Sequence, residues 1–111
     1  MLISEDYQQL LNSKGVPLDS LGIREVGLTR ADALHAIGFL ESKSIPILGG
    51  DVYFRRGSRI EIAYANWYSD PVPGEAQSEF LGRSWNRARE YIKTFPERQD
   101  ADPLFVLVVG R

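Results

Sequence analysis

The chain contains no cysteine, which excludes disulfide bonds, thiolate nucleophiles and cysteine-ligated metals, so its stability has to come from packing. There is a single histidine, His35. One histidine without cysteine supplies no zinc-binding spacing and leaves a serine nucleophile with one available imidazole base. Excess charge is also missing. A formal net charge of -2 gives no basic field of the kind that phosphate-dominated binding requires, and argues against a nucleic-acid partner. No apolar run reaches the length of a membrane span, and the start of the chain carries Glu5 and Asp6 where a secretion signal would carry positive charge. A soluble protein of a reducing, cytoplasmic compartment is the expectation. No internal repeat, low-complexity tract or linker divides the 111 residues, which suffice for one core and not two.

What is present reads as an α+β domain. Ser4 is placed to cap a short helix through about Asn12 or Ser13, with Tyr7, Leu10 and Leu11 at helical spacing and Gly15 and Pro17 ending it. After a weakly extended stretch from Gly22 to Leu28, Thr29 and Asp32 have the spacing of a capping box. A second helix follows from about Arg30 to Ser42, its core stripe being Ala33, Leu34, Ile37 and Leu40, with His35 and Phe39 turned outward. Leu81, Trp85, Ala88, Ile92 and Phe95 mark a longer third helix that Pro96 stops. Glu79 and Arg83 are placed within it as an i,i+4 pair. The run Leu104 to Val109, LFVLVV, is a strand covered on both faces or central in its sheet.

The stretch from Ile45 to Glu75 carries most of the information. Val52 and Phe54 alternate on one strand, and Ile60, Ile62 and Tyr64 on the next. If these two sets share the core face, Phe54 opposes Ile60 and Val52 opposes Ile62, leaving Arg56, Gly57 and Ser58 as a three-residue hairpin loop. Gly49 and Gly50 allow a bulge or bend at the strand's entry. A small, largely antiparallel sheet results, formed by this central hairpin and the apolar C-terminal strand and packed by two to three helices.

No residue pattern specifies a reaction. Asp51, Glu61, Asp70 and Glu75 are near in sequence, but nothing fixes their separation for acid–base work or for a hard cation. The glycine pair lacks the Lys-Ser/Thr of a phosphate loop. The aromatics are more suggestive. With the core set assigned as above, Asp51, Tyr53, Arg55, Glu61, Ala63, Ala65 and Trp67 fall on the opposite face, a mixture of aromatic, small and charged residues such as protein-binding surfaces use. Trp67 is either part of that surface or buried beneath a covering segment.

Four runs carry a family resemblance: ALHAIGFLESKSIPILGGDVYF, IEIAYANWYSDPVPGE, FLGRSWNRAREYIKTFP and PLFVLVV. Their most specific pieces are Ile47 to Tyr53, Asn66 to Pro71 and Ser84 to Ile92. Over about Leu28 to Val109 the chain resembles immunity protein family 40 of bacterial polymorphic toxin systems. That resemblance implies a small cytoplasmic antidote that binds and neutralises a toxin domain encoded beside it, with no catalytic residue and no cofactor. The expected contact residues are Asp51, Tyr53, Trp67, Tyr68, Asp70 and Glu75. Two other classes stand beside this reading: a small enzyme or ligand-binding domain using Asp51, Asp70 and Glu75 with Arg83, and a structural subunit that pairs with itself through the same face.

Overall fold

A computed structural model describes residues 5–110. Along the chain run α1 (Glu5–Lys14), β1 (Val16–Pro17), a single 3-10 turn at Asp19–Leu21, β2 (Val26–Gly27), α2 (Arg30–Ser42), β3 (Ile47–Arg56), β4 (Arg59–Tyr68), α3 (Gln77–Thr94) and β5 (Asp102–Val109). The class is α+β as expected, with a three-stranded antiparallel sheet in the order β4-β3-β5 and a two-stranded ribbon of β1 and β2. The Ser4 cap lies outside the described residues.

Local chemistry sets the helices where the sequence puts them. The Asp32 N–H donates to the Thr29 hydroxyl (3.3 Å), so α2 starts on a satisfied cap. Its Ala33, Ala36, Ile37 and Leu40 are fully buried. The N-cap of α3 is Ala76, whose N–H donates to the Glu79 carboxylate (2.9 Å), leaving Arg83 to a partner other than Glu79. Phe95, before Pro96, is extended (φ -60°, ψ 131°), as the proline ring demands of its predecessor. Arg30 crosses from α2 to cap the end of α3, donating to the carbonyl of Ile92 and pairing with Glu97 at 3.3 Å.

The hairpin departs from the expected register. Gly57 and Ser58 alone connect the strands, with Arg56 opposite Arg59. Gly57 has φ 61°, the glycine-first pattern of a two-residue type II′ turn. One residue fewer in the loop flips every β4 side chain relative to β3. Phe54 therefore opposes Glu61, and Tyr53 opposes Ile62. Ile62 is 46% exposed and Tyr64 89% exposed, so neither is the core residue that alternation suggested, and Ile60 is half-buried on the opposite face from Phe54. Trp67 takes the inner position instead, 3% exposed.

Apolar layers cover both sides of the sheet. On the helix side, Ile47, Val52, Trp67, Phe105 and Leu107 pack with α2, with Ala88 and Ile92 of α3, and with Tyr7 and Leu10 of α1. An aromatic chain ties α3 to the strands: Trp67 stacks on Tyr91 with ring centroids 4.6 Å apart, Tyr91 meets Phe95 at 5.9 Å, and Phe95 meets Phe105 edge-on at 5.7 Å. On the other side, Leu18 sits over Leu104 and Val106, flanked by Tyr53 and Ile60. The strand β5 is thus covered on both faces, although β3 is the central strand. Its outer edge is paired at one point, where Leu28 and Phe105 exchange two backbone hydrogen bonds of 2.8 Å.

Trp67 reaches its place because the facing strand has no side chains there. A Cβ on Gly50 would lie 2.3 Å from the indole ring, and one on Gly49 would lie 2.3 Å from the Trp67 carbonyl oxygen. The expected irregularity is present as well, as a register shift between Ile47 and Gly49 against β5. Gly38, on the exposed side of α2, differs: an added methyl would meet nothing within 4 Å. Two substitutions of one kind should therefore move stability in opposite directions. In denaturant unfolding, Gly38→Ala is expected to raise stability by about 0.5–1 kcal/mol. Gly50→Ala should lower it by about 1–3 kcal/mol, and an unchanged midpoint for Gly50→Ala would contradict the seat assigned to Trp67.

Candidate functional site

The outer face of the sheet can be read as rows across β5, β3 and β4. They are Asp102, Arg55 and Ile60; Leu104, Tyr53 and Ile62; Val106, Asp51 and Asn66; and Val108, Gly49 and Tyr68. The segment carrying Leu18 covers Leu104 and Val106 and reaches the start of β4 through its 3-10 turn, but leaves Ile62, Tyr64 and, in the last row, Tyr68 and Val108 exposed. Tyr68 is 70% exposed and Val108 41%. The open area consequently holds Ile62, Tyr64, Tyr68 and Val108 around Asp51 and Asn66. Contiguous exposed apolar side chains on a rigid sheet are unusual for a surface that meets only water, and they mark interaction sites.

A bulge shapes the middle of this area. Between the Tyr53–Ile62 and Val52–Ala65 pairs, β4 carries the two extra residues Ala63 and Tyr64, and Tyr64 has φ 57°. Positive φ in a bulky residue is strained by its own Cβ. Its ring contributes almost nothing to the core. Beside it lies a shallow depression of about 190 Å³, lined by Asp51, Tyr53, Ile62, Tyr64 and Asn66 over the backbone where the strands change register. Burial and the neighbouring carboxylates of Asp51 and Glu25 raise the Tyr53 hydroxyl above the ordinary tyrosine range, so the phenol stays protonated.

The six expected contact residues separate into three groups. Asp51, Tyr53 and Tyr68 lie on the outer face, Tyr68 exposed, Asp51 half-buried, and Tyr53 half-buried against the Leu18 cluster. Trp67 is in the core, so its ring is not on that surface. Asp70 and Glu75 belong to the loop after β4, which folds back along α3. Here Arg83 forks onto the Glu75 carboxylate (2.9 and 3.0 Å) and donates to the Asp70 carbonyl, while Glu75 accepts the Val72 N–H (3.1 Å). The Arg83 guanidinium, and next the Val72 N–H, hold the Glu75 carboxyl below the ordinary glutamate range. Glu75 thereby shapes the loop, and Asp70 is left exposed near its start.

The carboxylates that an enzyme reading would use lie in different settings. Asp51 lines the outer depression, whereas Glu75 is bound within its loop. Among the described residues no group of three or more His, Asp or Glu side chains could hold a metal ion. His35 is exposed on α2 with its ring 4.6 Å from that of Phe39. Residue alternation missed Ile62 and Tyr64, because it assigned both to the core. The available signal was Gly49-Gly50: a glycine pair is where a facing strand can seat a tryptophan.

The chain matches the family model described as Immunity protein 40 over residues 17–109, and it belongs to that family. The match begins upstream of the four resembling runs and takes in the Leu18 segment as well. No curated protein and no solved structure matches the chain significantly. None of the described helices is long and apolar enough to cross a membrane.

Substitutions in this region separate folding from surface. Trp67→Ala should cost about 3–5 kcal/mol in denaturant unfolding. Tyr64→Gly should instead raise stability by up to about 1 kcal/mol by relieving the positive φ; a loss of stability would mean that the ring is part of the core. Because the folded pKa of Glu75 is lowered, its contribution is full above the unfolded value and is lost as pH falls through the folded one. The thermal stability gap between wild type and Glu75→Gln should therefore be present near about pH 7 and narrow as the pH falls below the ordinary glutamate range. A gap independent of pH would contradict the ion pair's role.

Proposed function

We propose that this protein is a non-enzymatic immunity protein, which binds a cognate toxin domain stoichiometrically in the cytoplasm of the producing bacterium and blocks it through the open part of its outer sheet face. Family membership supports the general role, since the family's name describes immunity against a toxin. One observation carries the choice of surface: Ile62, Tyr64 and Tyr68 are exposed together on the outer side of one strand. Tyrosine is favoured at binding hot spots because it buries a large, rigid area at little entropic cost and keeps a polar tip.

Within this reading Tyr64, Tyr68 and Ile62 are the apolar anchors, Asp51 and Tyr53 line the depression beside them, and Asp70 extends the surface from the loop. Trp67 and Glu75 act one layer back, the first by fixing β4 from beneath and the second by fixing the loop. The acidic groups would favour a basic partner and speed its approach. Catalytic detoxification has no support in the grouping of side chains. Binding needs none.

Co-expression with the toxin domain encoded beside the gene tests this directly. Growth should be rescued, and a complex of defined stoichiometry should co-purify. Tyr64→Ala and Tyr68→Ala should each weaken that complex by about 30-fold or more while leaving the free protein folded. Protection by far fewer immunity molecules than toxin molecules, abolished by one carboxylate substitution, would instead reveal an enzyme.

A further inference from the structure

The depression beside Tyr64 has a more specific chemistry than an apolar docking face requires. Its volume of about 190 Å³ is lined by one acidic residue, Asp51, by two tyrosines, Tyr53 and Tyr64, and by Asn66 and Ile62. Asp51 forms no ion pair among the described residues, although Arg55, Arg56, Arg59 and Arg83 all do. Arg55 lies on the same face but pairs with Asp102 at 3.8 Å, in the row farthest from the opening. The cup thus holds an uncompensated negative charge among aromatic side chains.

We infer that this cup receives an arginine side chain of the toxin, its guanidinium paired with Asp51, stacked against Tyr53 and Tyr64 and hydrogen-bonded to the Asn66 carboxamide oxygen. The inference rests on the proposed immunity function and adds the partner's chemistry to it. A planar guanidinium meets a carboxylate by two parallel hydrogen bonds and also lies flat on aromatic faces, whereas an ammonium is a compact point charge that prefers its hydration. The bulge is what makes the cup. It interrupts the β3–β4 ladder at the register shift and turns Tyr64 outward beside the depression, so a strained backbone position gains a role in recognition. Charge complementarity also fits the face as a whole. Glu25 contributes a second carboxylate field near Tyr53, and Arg55, outward on the same strand as Asp51, is already paired with Asp102.

The test uses the full chain with its cognate toxin domain, measured by calorimetry or surface plasmon resonance at several salt concentrations. Asp51→Asn, shown to be folded by thermal unfolding, should weaken binding by about tenfold or more and flatten its salt dependence. Asp51→Lys should abolish binding, and one Arg→Glu substitution in the toxin should restore it. Arg→Lys at that toxin position should weaken the complex, because the charge remains while the stacking is lost. Tyr53→Leu and Tyr64→Leu should weaken it too. If Asp51→Asn binds as wild type does with the same salt slope, or if no toxin arginine rescues Asp51→Lys, the cup is not the arginine site and the immunity reading stands without it. If the wild-type chain forms no complex with the toxin at all, the immunity reading fails and the cup's assignment with it.

Discussion

The parity of β4 against β3 is fixed at the turn, and the surface of the molecule depends on that parity. Gly57 and Ser58 close the hairpin in two residues, which places Glu61 opposite Phe54 and sends the odd-numbered side chains of β4 toward the helices. Trp67 follows Glu61 to the inner face, and Ile62, Tyr64 and Tyr68 are directed outward. Burying an indole stabilises the domain by several kcal/mol, so the register that seats it wins over one that would bury Ile62. The strand opposite has given up two side chains at Gly49 and Gly50 to make room. Two extra residues then have to be absorbed between the turn and the tryptophan, and they are absorbed at Ala63 and Tyr64.

The proposed recognition surface grows out of that accommodation. The bulge pushes a tyrosine into solvent with a strained backbone beside a cup whose carboxylate, Asp51, forms no ion pair among the described residues. Tyr64 is 89% exposed, so its ring adds little to the packing of the domain. A strained, exposed aromatic residue persists where its exposure is useful. The loop that follows is held more tightly, because Arg83 ties the Glu75 carboxylate and the Asp70 carbonyl to α3. The open face is therefore a rigid strand flanked by a clamped loop, which suits stoichiometric binding, since little entropy is lost on association.

Much of this was legible in the chain. The span of α2, its Thr29 cap, the long α3 ending before Pro96 and the apolar β5 all follow from local rules that tertiary structure did not override. The hairpin's faces did not follow, for two reasons. Alternation shows that residues share a face without showing which face is buried, and Arg56-Gly57-Ser58 admits loops of either length. The outer face also carries its own small core under Leu18, so apolar residues were needed on both sides of the sheet. Asp51, Tyr53 and Tyr68 were singled out from a stretch of mixed aromatic and acidic composition, and the structure places all three on the outer face. Trp67 was ambiguous for the same reason, and Tyr64 was hidden by its parity with Ile60.

The central claim is that the outer face opened by the bulge is the surface that meets the toxin. Hydroxyl-radical footprinting of the chain, alone and bound to its toxin domain, measures this side chain by side chain. Tyr64, Tyr68 and Ile62 should react readily in the free protein and become protected in the complex, while His35 and Phe39 on α2 keep their reactivity. Unchanged labelling of Tyr64 and Tyr68, with protection moved to the helices, would contradict it.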